Sequence, residues 1–135
     1  MSSIVLFDTS VIVNHLRTRR YQELIDSVSG LIRFSSVVLA ELLRGATRRD
    51  EHEFLRNLQK NYPILTPTEK NWIESGELLS RIYLDRKLAP AKLRDMHFDV
   101  LIALTARSHG ARLITSNRSD FEMIHHYRKF QLEVW

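Results

Sequence analysis

The sequence predicts an α/β protein whose central parallel sheet has about five strands and is flanked by helices on both faces. Short apolar runs alternate along the chain with longer segments in which apolar residues recur at helical spacing. This alternation indicates strand–helix–strand units, which build parallel sheets. The chain has 135 residues, 44% of them hydrophobic and 27% charged, so it is long enough to bury one core.

Composition points to one domain over residues 1–135. Only 4 Gly and 3 Pro are present, so there is little material for an interdomain linker. The start of the chain has no basic region, and its apolar run is too short for a signal peptide or a membrane span. The absence of cysteine excludes disulfides and thiolate metal sites and agrees with a cytoplasmic location. The net charge of +4 gives weak support to a polyanionic partner.

Five strands are predicted from apolar runs rich in β-forming residues. The first run, residues 3–7, is apolar almost throughout, as expected of a parallel strand buried on both faces. Pro63 directs the third strand to an edge of the sheet, because proline cannot donate a ladder hydrogen bond. The predicted strands are residues 3–7, 31–34, 62–65, 112–115 and 130–134.

Helices are predicted between these strands. Thr68 is a cap for a helix that reaches about Leu88. Gly76 inside this helix suggests a close helix crossing, since glycine there costs about 1 kcal/mol relative to alanine. Residues 89–94 are predicted to form a loop. The other predicted helical segments are residues 11–16, 21–28, 36–45, 50–61, 96–109 and 119–124.

Asp8 is the first candidate functional residue, because it directly follows the first strand. Ligands of open parallel sheets bind beyond the carboxyl ends of the strands. Thr9 and Ser10 follow and can hold the carboxylate or a metal-bound water. The alternative is a helix N-cap, since Asp is among the best capping residues. The sequence leaves both interpretations open.

Two further acids lie beside apolar residues in helices. Glu41 borders the stripe that contains Leu39 and Leu42, and its alternative is an exposed acid paired with Arg44. Asp99 is expected in the first turns of a helix that is apolar on almost every side, where an acid without a partner is rare. The helix dipole would compensate its charge in part, and a metal cation would do so better.

A polar segment after the fourth strand supplies the remaining candidates, Asn117 and Asp120, with capping of the next helical turn as the alternative for Asp120. Carboxylates that converge repel and raise one another's pKa unless a cation neutralises them. Oxygen ligands without Cys or clustered His suit Mg²⁺ or Mn²⁺. Such ions activate water and stabilise charge on a phosphate oxygen, so a phosphodiester substrate is predicted.

Basic and hydroxyl side chains near these acids are candidate nucleic-acid contacts. Arg44 and Arg48 belong to the same helical region as Glu41. A solvated face is the alternative for each basic residue, including Arg44 and Arg48. No two of the 6 His have i, i+4 spacing, so zinc is not expected. The candidate RNA-binding residues are Arg44, Arg48, Thr9, Ser10 and Thr115, and the remaining basic clusters are Arg17, Arg19 and Arg20, and Arg86, Lys87, Lys92 and Arg94.

Taken in order, the acidic motifs resemble the PIN domain family, and more narrowly the VapC-type toxins of prokaryotic toxin–antitoxin pairs. The resemblance covers essentially the whole chain. Its motifs are residues 6–10 with Asp8, residues 38–45 with Glu41, residues 99–103 with Asp99, and residues 115–121 with Asn117 and Asp120.

The resemblance implies a five-stranded parallel sheet and an Mg²⁺- or Mn²⁺-dependent endoribonuclease that cleaves RNA, often tRNA or rRNA, through metal-activated water. It also implies a type II toxin, a homodimer and a cognate antitoxin that inserts a segment into the active-site groove. Asp8, Glu41 and Asp99 match the family's three most typical metal-site acids. Asn117 occupies the position where a fourth acid is common, so weaker metal binding is expected, and Asp120 is the possible substitute or second-metal residue.

Two other functions compete with this interpretation. The first is a non-catalytic PIN-like module that binds RNA or a partner protein, which Asn117 favours and the intact acids at positions 8, 41 and 99 oppose. The second is a phosphoacceptor regulatory domain, which usually has paired acids after the first strand and a Lys after a late strand. Asp8 has no acidic neighbour and residues 116–118 contain no Lys, so this alternative is disfavoured.

Overall fold

The computed structural model describes residues 3–19 and 22–135, and within them five strands alternate with seven helices. The strands are β1 (Ile4–Phe7), β2 (Leu31–Ser35), β3 (Ile64–Leu65), β4 (Arg112–Thr115) and β5 (Gln131–Val134). The helices are α1 (Thr9–Thr18), α2 (Gln22–Asp26), α3 (Ser36–Gly45), α4 (Arg49–Asn61), α5 (Glu69–Arg86), α6 (Pro90–Ser108) and α7 (Arg118–Tyr127). Arg20 and Tyr21, named in the sequence predictions, lie outside the described residues.

The strands form one sheet in the order β3-β2-β1-β4-β5, and every neighbouring pair is parallel. The chain adds strands on one side of β1, then returns to add β4 and β5 on the other side. The direction of winding therefore reverses between β1 and β4, which is where parallel sheets open a crevice at the carboxyl ends of their strands. The predicted five-stranded parallel α/β fold is confirmed.

The centre of the sheet is buried because β1 is apolar throughout and β4 contributes Leu113 and Ile114. Leu6 and Leu113 are paired neighbours on adjacent strands, and both are fully buried. Helix α6 has an apolar second half in which residues 100–106 are all buried. This burial supplies most of the hydrophobic driving force, at roughly 25 cal/mol per Å². No helix in the described part of the chain is long and apolar enough to span a bilayer.

Helix α6 begins earlier than the sequence predicted, so the loop expected over residues 89–94 is wrong. Pro90 occupies the first turn and Ala89 is the N-cap. Proline is favoured there because its ring presets the helical φ and its missing N–H would have had no helical partner. As a consequence, Asp99 lies in the middle of α6. The last helix is also longer than predicted, Arg118–Tyr127 instead of residues 119–124.

Gly76 and Gly30 differ in whether the structure has room for a side chain at their position. The close helix crossing predicted at Gly76 is wrong, since a Cβ built there would have no atom within 4 Å. Gly30 precedes β2 with a φ of +132°, and a Cβ there would lie 2.5 Å from the carbonyl oxygen of Ser3. Only glycine adopts that conformation without strain.

Gly30→Ala is expected to lower the free energy of unfolding by about 2 kcal/mol, since the new Cβ meets backbone and the φ is unfavourable. Gly76→Ala is the matched control and should raise it by about 0.5–1 kcal/mol, because it only removes a helical glycine. Urea denaturation of both variants measures this. Equal stability changes would contradict the proposed constraint at Gly30.

Candidate active site

Asp8 lies at the carboxyl end of β1, at the point where the winding of the sheet reverses. Its backbone N–H donates to the carbonyl of Ile114 at 2.9 Å, which ties it to the end of β4. Its Oδ2 accepts from the hydroxyls of Ser10 at 2.7 Å and Thr115 at 2.9 Å. It also accepts from the Ser10 N–H as the N-cap of α1. Asp8 therefore caps a helix and also lies in the crevice, so the two interpretations are compatible.

The hydroxyls of Ser10 and Thr115 stabilise the ionised form of the Asp8 carboxyl. Asp8 is only 3% exposed, and burial raises the pKa of its carboxyl, while the hydrogen bonds from Ser10 and Thr115 oppose that increase. Thr115 is fully buried, so its predicted role as an RNA contact is wrong, and its hydroxyl instead positions Asp8. Ser10 is only partly buried and also accepts from the N–H of Ser116 at 3.1 Å.

Glu41 approaches Asp8 from α3, the helix that Ser35 caps at the end of β2. Its Oε1 accepts from the Thr9 hydroxyl at 2.9 Å, which links it to the residue after Asp8. Burial raises the pKa of Glu41, the Thr9 bond opposes this, and repulsion from Asp8 adds to the increase. Glu41 is partly buried, unlike the exposed acid of the alternative interpretation, and the Arg44 guanidinium lies over the Phe98 ring, 5.5 Å from its centroid.

Asp99 is the third acid of the site, and its carboxyl pKa is strongly raised. It lies in the middle of α6, so the predicted compensation by the helix dipole, which acts within the first turn, does not apply. Burial raises its pKa to about 8, and repulsion from Asp8, Glu41 and Asp120 adds to the increase. Because repulsion between carboxylates falls with distance, these four acids share one region at the carboxyl edge of the sheet. The structure thus brings together side chains that are far apart in sequence.

Asp120 has a cationic partner that sequence reasoning missed. The Lys92 Nζ lies 2.8 Å from its Oδ1 and 2.9 Å from its Oδ2. The Asn117 Nδ2 donates to Oδ2 at 3.1 Å, which leaves the amide oxygen of Asn117 as its acceptor. Asn117, and not Asp120, is the N-cap of α7, so the capping alternative for Asp120 is wrong. Lys92 and Asp99 are seven positions apart on α6, so they lie on the same face of this helix. Had the predicted helix extended to Lys92, this spacing would have indicated Lys92 as a neighbour of the acids.

The donor set fits a hard divalent cation by chemistry and by charge. Every candidate ligand offers oxygen, which suits Mg²⁺ or Mn²⁺. Burial raises the pKa of Asp99 most, and the repulsion from Asp8, Glu41 and Asp120 that adds to it is a negative potential that a cation would neutralise. Among residues 3–19 and 22–135, no three His, Asp or Glu side chains form a ready-made cage. A cation would therefore have to draw the carboxylates together.

A cavity of about 590 Å³ lies beside Glu41 and extends towards α4. Its walls include Thr9, Arg17, Arg48 and Phe54, so it combines apolar surface with positive charge. Arg48 is exposed and forms two hydrogen bonds with the carboxylate of Asp50, at 3.0 and 2.7 Å. Another cavity, of about 660 Å³, runs along α5 and touches none of the four clustered acids.

A parallel sheet with acids at its winding reversal places polar groups where such sheets bind ligands, and comparison with known families identifies the class of protein. The PIN domain family model matches residues 5–126, so the chain belongs to the PIN domain family. The family resemblance predicted from the motifs is confirmed.

Individual relatives agree with this assignment. Ribonuclease VapC1 of Methanocaldococcus jannaschii is 27% identical over 133 residues, which cover 98% of this chain and 88% of that protein. The fold is similar to a chain of VapBC-1 from nontypeable Haemophilus influenzae, with a TM-score of 0.73, 23% identity and 98% of both chains covered. It is also similar to a chain of VapBC2 from Rickettsia felis bound to a promoter DNA fragment, with a TM-score of 0.71, 23% identity and the same coverage.

Proposed function

We propose that this chain is an Mg²⁺- or Mn²⁺-dependent endoribonuclease and the toxin of a toxin–antitoxin pair. The observation that carries the proposal is the placement of Asp8, Glu41 and Asp99 in one region: Glu41 accepts from the Thr9 hydroxyl beside Asp8 at 2.9 Å, and burial, with repulsion from Asp8 and Glu41, raises the pKa of Asp99 to about 8. Strongly perturbed acids cluster at functional sites, because a fold without a use for them would replace them. Membership of the PIN domain family and the relative named Ribonuclease VapC1 support a nuclease.

The roles of the side chains follow from their contacts. Asp8, Glu41 and Asp99 would hold the ion, and Asn117 and Asp120 would support it. When bound, the ion would supply an activated water and stabilise charge on a phosphate oxygen. The Thr115 and Ser10 hydroxyls orient Asp8, and the Thr9 hydroxyl orients Glu41. Holding carboxylates in advance lowers the reorganisation needed when substrate binds.

Asp8→Asn tests the activity directly, because it keeps the shape of the side chain and removes its charge. The wild type is expected to cleave cellular RNA only when Mg²⁺ or Mn²⁺ is added, and Asp8→Asn is expected to lose that cleavage. The measurement is gel analysis of tRNA and rRNA with each ion and with EDTA. Cleavage that is equal in EDTA would overturn the metal requirement. Metal-independent binding of RNA without cleavage by the wild type would favour the non-catalytic binding module.

Arg44 is a basic residue beside the acids, since its guanidinium covers the ring of Phe98, the neighbour of Asp99, and its charge acts on Glu41. Arg44→Gln is expected to weaken RNA binding about threefold to tenfold and to reduce the salt slope by about 0.7–0.9, as for one lost phosphate contact. Lys60→Gln on α4 is the matched control, because Lys60 lines neither cavity. Filter binding between low and moderate salt measures both variants, and identical slopes would exclude Arg44 from the RNA path.

An antitoxin is the proposed protein partner in the cytoplasm. The chains of similar fold come from VapBC-1, from VapBC2 and from a toxin–antitoxin complex of Klebsiella pneumoniae. The similarity to the Klebsiella chain has a TM-score of 0.59 and 22% identity, and it covers 87% of this chain and 89% of that chain. The cavity beside Glu41 has apolar walls that carry both arginines and carboxylates, which suits an inserted segment with apolar and charged side chains. Co-purification with the product of a neighbouring gene, and loss of RNA cleavage in that complex, would test this.

A homodimer is supported by apolar side chains that α5 leaves in solvent. Trp72, Ile73 and Leu84 are 50%, 58% and 61% exposed, and such surface favours association. Light scattering during size exclusion should give twice the chain mass of 15.9 kDa. A mass that stays at one chain across micromolar concentrations would overturn the dimer.

A further inference from the structure

The pair formed by Lys92 and Asp120 joins two helices at the edge of the acidic site. Lys92 lies near the start of α6 and Asp120 in the first turn of α7. The ammonium contacts both carboxylate oxygens, at 2.8 and 2.9 Å, and the side chains are 43% and 14% exposed. With the bond from Asn117, both oxygens of Asp120 already face donors. Within residues 3–19 and 22–135, Asp120 is the acid of the cluster that forms an ion pair at hydrogen-bond distance.

We propose that the ammonium of Lys92 takes the place of a second divalent ion at Asp120, so that the site binds one Mg²⁺ or Mn²⁺ ion. The inference rests on the proposed function, since it assumes a first ion at Asp8, Glu41 and Asp99. A second ion at Asp120 would have to break two charge-assisted hydrogen bonds and approach a positive charge. It would also find a neutral amide at position 117 where a carboxylate would bind more strongly.

The position of Lys92 on α6 favours this role. Lys92 and Asp99 lie on the same face of one helix, and Lys92 acts electrostatically on Asp99 as well as on Asp120. Its charge is therefore directed into the acid cluster. The competing interpretation is an ion pair that only holds α6 against α7. Removing such a pair would change thermal stability and leave the number of bound ions unchanged.

The experiment counts Mn²⁺ ions bound per chain, by electron paramagnetic resonance of free Mn²⁺ and by calorimetry. The full chain is compared with Lys92→Met, with Lys92→Gln as a second neutral variant, and with Lys92→Arg, which keeps the charge. Lys60→Met on α4 is the matched control. We expect one ion in the wild type, Lys92→Arg and the control, and a second ion in both neutral variants, bound about tenfold or more tightly than any second ion of the wild type.

The double variant Lys92→Met with Asp120→Asn should return to one ion, because the ligand of the second ion is lost. Two ions in the wild type, or one ion in neutral variants with a native circular dichroism spectrum, would overturn the inference and leave the proposed nuclease standing. Two ions in the double variant would also overturn it, since Asp120 would not be the ligand. No bound ion in the wild type would instead overturn the metal dependence itself, and this inference with it.

Discussion

Asp99→Asn is expected to abolish metal-dependent RNA cleavage and, in the absence of metal, to make the protein more stable. The variant removes one of the three carboxylates proposed to hold the ion. A fall in rate of roughly a thousandfold corresponds to about 4 kcal/mol of lost transition-state stabilisation. At the same time it removes a partly buried carboxyl whose pKa is raised to about 8 by burial and by repulsion from Asp8, Glu41 and Asp120, so that its ionisation destabilises the folded chain.

The gain in stability should be on the order of 1 kcal/mol near pH 8, or about 4 °C in the thermal midpoint. Thermal unfolding in EDTA and cleavage of labelled RNA with Mg²⁺ measure the two effects. Asp95→Asn is the matched control, because Asp95 lies one turn earlier on α6 and is exposed. It should change neither property. An Asp99→Asn protein that is inactive and also less stable would mean that Asp99 serves the fold.

The sheet was predictable because a strand that is buried on both faces consists of consecutive apolar residues, which are easily recognised in a sequence. The strand before Asp8 is apolar at consecutive positions, and the structure forms β1 over Ile4–Phe7. Parallel strands also end at a common edge, so an acid directly after a strand is a good candidate for the crevice. Asp99 stood out for a different reason, as an acid directly before the mostly apolar residues 100–106, which the structure buries.

The partner of Asp120 was not predictable in the same way. Proline is common both in loops and at the first helical position, so Pro90 did not reveal that α6 starts there. Without that start, Lys92 belonged to a loop and had no face in common with Asp99. Its contact with Asp120 spans 28 positions and depends on how α6 packs against α7. The sequence of α6 or of α7 alone therefore does not indicate the contact between Lys92 and Asp120.

The role of Thr115 also required the tertiary structure. A hydroxyl at the end of a strand suits an RNA contact as well as an internal hydrogen bond. The register that pairs Phe7 with Ile114 places Asp8 beside Thr115 and buries the hydroxyl completely. A one-residue slip would have turned that side chain to the opposite face of the sheet. The register therefore decides that Thr115 positions the carboxylate.

A divalent ion is expected to stabilise the folded chain, and more strongly as the pH rises. With Mg²⁺ at about 100 times its dissociation constant, the free energy of unfolding should increase by about 2.7 kcal/mol. In the folded state the pKa of Asp99 is about 8, against a reference value of 3.8. Between these pH values the folded chain keeps a proton that the unfolded chain has released. Metal-free stability should therefore fall as the pH rises through this window.

The ion must displace the same proton, so its binding should strengthen towards pH 8 and its stabilising effect should grow just where metal-free stability declines. Thermal midpoints from pH 5 to 9, with MgCl₂ and with EDTA in KCl of matched ionic strength, should diverge as the pH increases. In Asp99→Asn both curves should lose the part of their slope that Asp99 contributes, while the raised pKa values of Asp8 and Glu41 keep the rest. Parallel curves in the wild type would show that the ion does not bind where Asp99 holds its proton.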